Sequence, residues 1–435
     1  MGESAQRLLL ATLVGLLLGS APVAADWLIA ERDWQALSGL EPTQSLDLVA
    51  PTRRQTDARL RFSRVDLYAP GARVWKVTAQ GRTPLPLSGQ RVLRGHDPVR
   101  SDQHLVLVFS ANGELAAGAV HGERGLEALR TYRDVDGVRL RAYPVEALLP
   151  DGASVDFVCA NDSLPTLGTF NPTVPRATAP VRADTLRLGV LAIDTDKEWL
   201  QRRFGDDTST AQAWIEQLMA TTNLIFERDL NLRMLQGDTL LRVGSDPYQQ
   251  NASPVNRAVL EEFGAYWASQ YGDIVRTHAA LISGRSSAEN RASGIAWLNS
   301  YCRTASLGGS YSVNQLYYAS WVAVAGSASI FAHEIGHNLG SPHTHCYDSP
   351  VDTCFNAERG CYSGPVSCPA EGSGTLMSYC NFSSPSGAGC GQNRLELHPT
   401  VAGRISELIL ANMPACITTA SSQIEGLIFR DRFQP

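Results

Sequence analysis

Lysine is almost missing from this chain of 435 residues. Lys76 and Lys197 are the only two, so arginine supplies 35 of the 37 basic side chains (37 less two). Such usage suits a GC-rich bacterial genome. Asp and Glu number 43, the formal net charge is −6, and there is no basic excess to neutralise a phosphate backbone, so a nucleic-acid partner is not supported. Past the N-terminus no apolar run reaches the ~20 residues that a membrane-spanning helix needs. No Cys-x-x-Cys pair occurs, which counts against cysteine-only zinc ligation. There is no internal repeat and no low-complexity tract. What remains is 44% apolar and 18% charged, the composition of a globular protein with a sizeable core.

The N-terminus has the pattern of an export signal. Arg7 precedes an apolar run from Leu8 to Leu18, and Ala21-Pro22-Val23-Ala24-Ala25 offers small residues for cleavage after Ala25. Residues 1–25 therefore read as a signal peptide, and the protein as secreted, whether extracellular or periplasmic. Eight of nine cysteines fall between Cys302 and Cys416. An even set behind an export signal reads as four disulfides, with pairings that sequence alone leaves open. The ninth, Cys159, stands apart.

Along the chain the hydrophobic period changes. Residues 26 to about 160 alternate apolar and polar in short runs, clearest at Val74–Thr78 and Leu105–Phe109, and predict a mostly β domain. Residues 161–183, with Pro165, Pro172, Pro175 and Pro180, read as a linker in which Arg176 and Arg182 are exposed points for proteolysis. From Thr185 strands alternate with helices: strands at 186–194, 231–243, 274–282 and 294–298, and helices at 209–227, 255–270 and 327–339. This order predicts a three-layer α/β domain. Residues 341–392 are rich in Gly, Ser, Pro and Cys and lack periodicity, and 395–413 predicts a closing helix. The expected division is a signal at 1–25, a β domain with its linker at 26–183, an α/β domain at 184–416 and a tail at 417–435.

The densest chemistry lies at His333-Glu334-Ile335-Gly336-His337-Asn338-Leu339-Gly340-Ser341-Pro342-His343. Histidines four apart share one face of a helix, and two imidazoles there can grip one zinc ion. Gly340 permits the left-handed backbone that stops the helix and returns His343 as a third ligand. Three protein ligands leave one position for water, as in a catalytic rather than a structural zinc site. Glu334, next to the first ligand, is placed to take that water's proton.

This motif resembles the metzincin zinc peptidases. Thr375-Leu376-Met377-Ser378-Tyr379 is similar to their methionine turn, which implies Met377 as an apolar floor under the imidazoles and Tyr379 either as a donor to the oxyanion or as packing. Gly294-Ile295-Ala296-Trp297-Leu298-Asn299-Ser300-Tyr301-Cys302 resembles the edge strand of the reprolysin (adamalysin) branch. The resemblance implies substrate pairing along Gly294, Ile295, Ala296 and Trp297, and a Cys302–Cys416 disulfide. Two positions depart from that branch: Thr344 stands where its members have Asp, and Met-Ser-Tyr replaces Cys-Ile-Met. A divergent, bacterial reprolysin-like member is therefore expected, over about residues 185–416.

The resemblance implies an α/β fold: a catalytic domain with a mixed sheet, helices including the zinc helix, and a small irregular lower subdomain, behind a mostly β propeptide domain. It implies a secreted zinc-dependent endopeptidase made as a latent zymogen, with one catalytic zinc on His333, His337 and His343, Glu334 as general base, and protein or peptide substrates. A lone cysteine ahead of such a domain suggests a latency switch, with the Cys159 thiolate on the zinc. A buried free thiol and a mispaired ninth cysteine are the alternatives. A calcium site and the oligomeric state are not legible. Two other classes stay open: an inactive metzincin-fold binding module, which the intact Glu334 argues against, and a zinc hydrolase of non-peptide substrates, which the methionine turn and edge strand argue against. Among the remaining histidines, His345 reads as a solvent-facing loop residue, with hydrogen bonding near the site, or orienting a ligand, as the alternative.

Overall fold

The computed structural model describes residues 25–51, 57–98, 104–122, 125–144, 148, 156–161, 164, 185–285, 291–317, 322–413 and 415–420. The signal segment to residue 24, the linker arginines Arg176 and Arg182, and the tail beyond 420 lie outside the described residues.

In chain order the N-terminal region comprises β1 (Ala25–Ala30), α1 (Glu31–Ser38), β2 (Ser45–Pro51), β3 (Asp57–Val65), β4 (Val74–Thr78), β5 (Gly81–Leu85), β6 (Arg91–His96), β7 (His104–Phe109), β8 (Leu115–Gly122), β9 (Gly125–Asp134), β10 (Gly137–Pro144) and β11 (Asp156–Cys159). Eight of these strands form an antiparallel sheet in the order β1-β10-β9-β8-β7-β6-β3-β2. Inside its curl, Trp34 and Leu37 of α1 pack on Trp27, Phe62, Leu107 and Phe109. The alternation read from the sequence is thus a half-buried sheet.

The second half comprises β12 (Arg187–Thr195), α2 (Lys197–Phe204), α3 (Thr208–Leu230), β13 (Leu232–Arg242), α4 (Arg257–Tyr271), β14 (His278–Ser283), β15 (Arg291–Ala296), β16 (Tyr311–Gln315), α5 (Val324–Asn338), α6 (Pro399–Asn412) and β17 (Thr418–Thr419). Polar side chains start the helices: Asp196 caps α2, Asp207 caps α3 and Asn256 caps α4, each accepting from backbone N–H groups of the first turn. Strands β12 and β14 are buried along their whole length, as expected of central strands covered on both faces. Leu191 and Ile193 face α3 and α5. Ala192, Ala279 and Leu281 face α4. The α/β layering expected from the sequence is present.

Two strands and two helices were not legible in the sequence, namely β16, the short β17, α1 and α2. The sheet of the α/β domain runs β11-β15-β16-β14-β12-β13-β4-β5, with β17 paired to β12. Three of its nine strands belong to the N-terminal region. Val74–Thr78, expected within the β domain, pairs instead in parallel with β13, and β11 covers the far edge. Nothing in local periodicity says which sheet a hairpin joins. Residues Thr418 and Thr419, assigned to the tail, pair with β12, and Ile417 is buried.

Helix α3 lies between the two sheets. It packs on α5, β13 and α6 on one side and on β7 and β8 on the other. Its polar residues Gln212, Glu216, Thr221, Thr222 and Asn223 are buried along with its apolar ones, and its acids find partners there. Glu216 accepts from Tyr68 and Ser88, and Glu227 meets Arg94 and Arg233. Residues 341–392 are irregular as expected, with three disulfides: Cys346–Cys361, Cys354–Cys380 and Cys368–Cys390. The fourth is Cys302–Cys416. Among the described residues no helix is long and apolar enough to cross a membrane.

Asp194 fastens β12, β13 and α4 together. Its carboxylate accepts from Arg242 Nε and Nη2 at 2.7 Å each, from the Tyr248 hydroxyl at 2.7 Å and from Trp267 Nε1 at 2.9 Å, all away from solvent. Asp194→Ala leaves the Arg242 charge buried without a counter-ion. Urea unfolding should show a loss of about 3–5 kcal/mol. A loss under about 1 kcal/mol would show that the pair does not hold the sheet to α4.

Candidate metal centre

Helix α5 carries His333 and His337 one turn apart, both buried. It ends as Gly340 requires. Gly340 has φ +113°. Ser341 N–H donates to Gly336 O at 3.0 Å and Gly340 N–H to His337 O at 2.9 Å, the two bonds of a Schellman stop. A Cβ on Gly340 would collide with Leu408. The turn redirects the chain so that His343 comes back to the helix, its ring centroid 4.7 Å from that of His337.

The orientation of each imidazole is fixed from behind. His333 Nδ1 donates to Leu376 O and His337 Nδ1 to Ser341 O, both at 2.7 Å. Carbonyls only accept, so Nδ1 carries the proton in both rings and Nε2 carries the lone pair. His343 Nδ1 lies 2.7 Å from Glu358 Oε2. Burial would raise the pKa of Glu358, but the His343 and His345 rings pull it far below the carboxylate range. It is therefore an anion that accepts. Burial, with His343 adding, lowers the pKa of His333 to about 3, and it drives His337 well below its ordinary value. Both rings are neutral, as metal ligands must be.

Three lone pairs thus converge. The Nε2 atoms of His333 and His337 are 3.1 Å apart, and His343 Nε2 is buried with no hydrogen-bond partner. Neutral rings facing each other through lone pairs repel unless a cation lies between them. This arrangement fits a divalent metal with nitrogen preference. His333, His337, His343 and Cys159 have their ligand atoms all within 4.8 Å of one another.

Around the histidines stand the other residues singled out in the sequence. Glu334 is buried, neither oxygen has a hydrogen-bond partner of ordinary geometry, and burial pushes its pKa well up, opposed by the Cys159 thiol. Its room comes from Gly294, where a Cβ would collide with the Glu334 carboxylate. Met377 lies directly under the helix. A Cβ on Gly336 would come within 2.6 Å of its sulfur, so the glycine inside the histidine motif and the methionine turn are a matched pair. Tyr379 lies beside the histidines, its ring centroid 4.1 Å from that of His343, and its hydroxyl donates to Cys159 O at 2.8 Å.

Cys159 is buried and unpaired. Its Sγ is 3.4 Å from His337 Nε2, and burial, then the nearby Glu334, pushes its pKa well up. A mispaired ninth cysteine is thereby set aside. The segment carrying it fills the edge expected for substrate. Asp156–Cys159 runs parallel to Arg291–Gly294, Ala160 N–H donates to Gly294 O, and Ala296 N–H donates to Asn161 Oδ1, both at 2.8 Å. Gly294, Ile295 and Ala296 lie on that strand. Trp297 follows directly, its N–H donating to Tyr311 O at 3.4 Å, and is buried on the α4 side.

Several residues of the site were not found from the sequence. Phe157 packs edge-on to His333 at 5.3 Å. Asn338, the residue after the second histidine, ties α5 to the sheet through Trp297 O at 2.7 Å and Tyr311 O at 3.2 Å. His345, expected to face solvent, is fully buried and lies 2.8 Å from Glu358. Glu358 itself gave no signal, because only the Cys346–Cys361 pairing brings residue 358 back to residue 343.

Residues 185–387 match the family model described as metallo-peptidase family M12, whose members of this kind are reprolysin-like metzincins. No curated protein matches the chain.

The donor set predicts that the full-length chain takes up one zinc per molecule and that His337→Ala loses it, since the remaining donors no longer close around the ion. Elemental analysis after gel filtration measures this. A full equivalent of zinc in the variant would overturn the ligand set.

Proposed function

We propose that this chain, whose residues 185–387 belong to metallo-peptidase family M12, is a secreted zinc endopeptidase held latent by its own N-terminal region. The observation that carries the reading is the convergence of three lone-pair imidazole nitrogens beside the buried carboxylate of Glu334. His333, His337 and His343 would hold the metal. Zinc bound there supplies polarisation of the scissile carbonyl and a water of lowered pKa. Glu334 takes a proton from the attacking water at its carboxylate and returns it to the leaving amine. Tyr379 offers its hydroxyl to the oxygen that becomes negative. Met377 and Phe157 pack against the centre, and Met377 gives it a dry floor. Backbone groups of β15 would hold an extended peptide, as strand addition does. The four disulfides agree with an oxidising destination.

Latency follows from what β11 does. Its backbone takes the edge of β15, Cys159 Sγ stands among the histidine nitrogens, and the Cys159 carbonyl takes the Tyr379 hydroxyl. Three features that a peptide substrate would need are held by one segment. Residues 26–183 are then the propeptide, and cleavage near Arg176 or Arg182 would allow that segment to leave.

Glu334→Gln, cleaved within residues 161–183, should keep its zinc and lose hydrolysis of unfolded casein by about 10²–10⁴-fold, the worth of a general base. Near-normal turnover by the zinc-loaded variant would mean that another group moves the proton.

Cys159→Ser separates the thiol from the rest of the blocking segment. The uncleaved variant should hydrolyse casein where the unaltered precursor does not, because the serine hydroxyl is a poor zinc ligand. A variant as silent as the precursor would leave steric cover by β11 as the whole of the latency.

A further inference from the structure

Glu358 has no role in the reading above beyond its contact with His343, yet its placement is specific. One oxygen, Oε2, accepts from His343 Nδ1 at 2.7 Å and lies 2.8 Å from His345 Nε2. The His343 and His345 rings lie nearly parallel, 7° apart, with centroids separated by 5.5 Å, so the carboxylate reaches both edges at once. His343 and His345 are buried and Glu358 is 12% exposed. The loop that carries Glu358 is closed by Cys346–Cys361. It is pinned again by Tyr362 N–H to His345 O at 3.0 Å and by Cys361 N–H to Glu358 O at 3.2 Å. Cys346 and Glu358 lie near His343 and His345, but Cys346 is spent in the disulfide, so this group is not a second metal site.

The other two ligand histidines are oriented by backbone carbonyls, His333 by Leu376 O of the methionine turn and His337 by Ser341 O of the turn after α5. His343 is different. Ser341-Pro342-His343 is an irregular stretch between the helix stop and the 3-10 turn Thr344–Cys346, and among the described residues the partner of its Nδ1 is a side chain, not a carbonyl. The residue following His343 is Thr344, and it faces the other way: its N–H donates to Met377 O at 3.0 Å and its hydroxyl to the same oxygen at 3.3 Å. An anchor for the third ring has to come from elsewhere.

We infer that Glu358 is the positioning residue of the third metal ligand, holding His343 with its proton on Nδ1 and its Nε2 lone pair aimed at the metal, and that His345 and the Cys346–Cys361 bridge hold Glu358 in place for this. The inference rests on the metal-site reading of His333, His337 and His343. Partners behind a ligand histidine fix its tautomer and raise its basicity, and their loss typically weakens metal binding by about 10–100-fold. Because Glu358 accepts from both rings, the carboxylate geometry matters less than an acceptor oxygen at that point. A glutamine amide oxygen reproduces it, and an alanine does not.

The test is zinc competition against a chelator with the full-length chain, alongside the visible absorption of the cobalt-loaded form. Glu358→Ala should bind zinc about 10–100-fold more weakly and shift the cobalt bands, with far-ultraviolet dichroism and the four disulfides unchanged. Glu358→Gln should recover most of the affinity. Equal zinc affinity in Glu358→Ala and the unaltered chain would overturn the inference, as would a Gln variant no better than Ala. An unaltered chain that takes up no zinc would overturn the metal-site reading and this inference with it. If the alanine variant fails to fold, nitrogen-15 histidine spectra of the unaltered zinc-loaded chain decide. Glu358 behind His343 requires a hydrogen-bonded Nδ1 proton on that ring, and a proton on Nε2 instead would refute it.

Discussion

Each of the three histidines is fixed through Nδ1, and the rest of the site depends on those three bonds. The anchors come from three places: Leu376 of the methionine turn, Ser341 of the turn after α5, and Glu358 of a disulfide loop. With the Nδ1 protons so committed, the Nε2 lone pairs face a common point in a buried space, where they are electrostatically tolerable only around a cation. Gly336 then has to lack a side chain so that Met377 can come close enough to bring Leu376 under His333. Gly340 has to adopt a positive φ so that Ser341 can reach back to His337. The glycines of the motif serve the anchors as much as the helix.

The N-terminal region is bound to this centre by sheet register rather than by surface contact alone. Cys159 pairs opposite Gly294, and Gly294 is bare because Glu334 passes over it. A one-residue slip of β11 would turn the thiol to the other face of the sheet and bring a different residue to the histidines. Meanwhile β4 and β5 extend the opposite edge of the same sheet, and β7 and β8 cover α3. The region therefore grips the α/β domain at both edges and across one helical layer. Buried acids of α3 use it to satisfy their charge: Glu216 depends on Tyr68 and Ser88, and Glu227 partly on Arg94. An unpaired buried acid is costly, so departure of this region would have to be matched by exposure of those groups to water.

The sequence by itself determined what is local. The spacing of His333, Glu334 and His337 depends only on the helical period, the stop at Gly340 only on glycine's freedom at positive φ, and the α/β alternation after residue 185 only on hydrophobic periodicity. Each could be read because the cause lies within one turn or one strand of its effect. Tertiary structure alone decided what needs distant segments to meet. Residue 358 became a histidine partner through a disulfide whose pairing the sequence left open. His345 was turned inward by that same carboxylate. Val74–Thr78 left the sheet of its neighbours because β13 offered an edge, and β11 filled the strand that the motif had marked for a substrate. In each case the deciding energy is a hydrogen bond or a buried contact between residues far apart in the chain, and neither partner carries a mark of the other in its own neighbourhood.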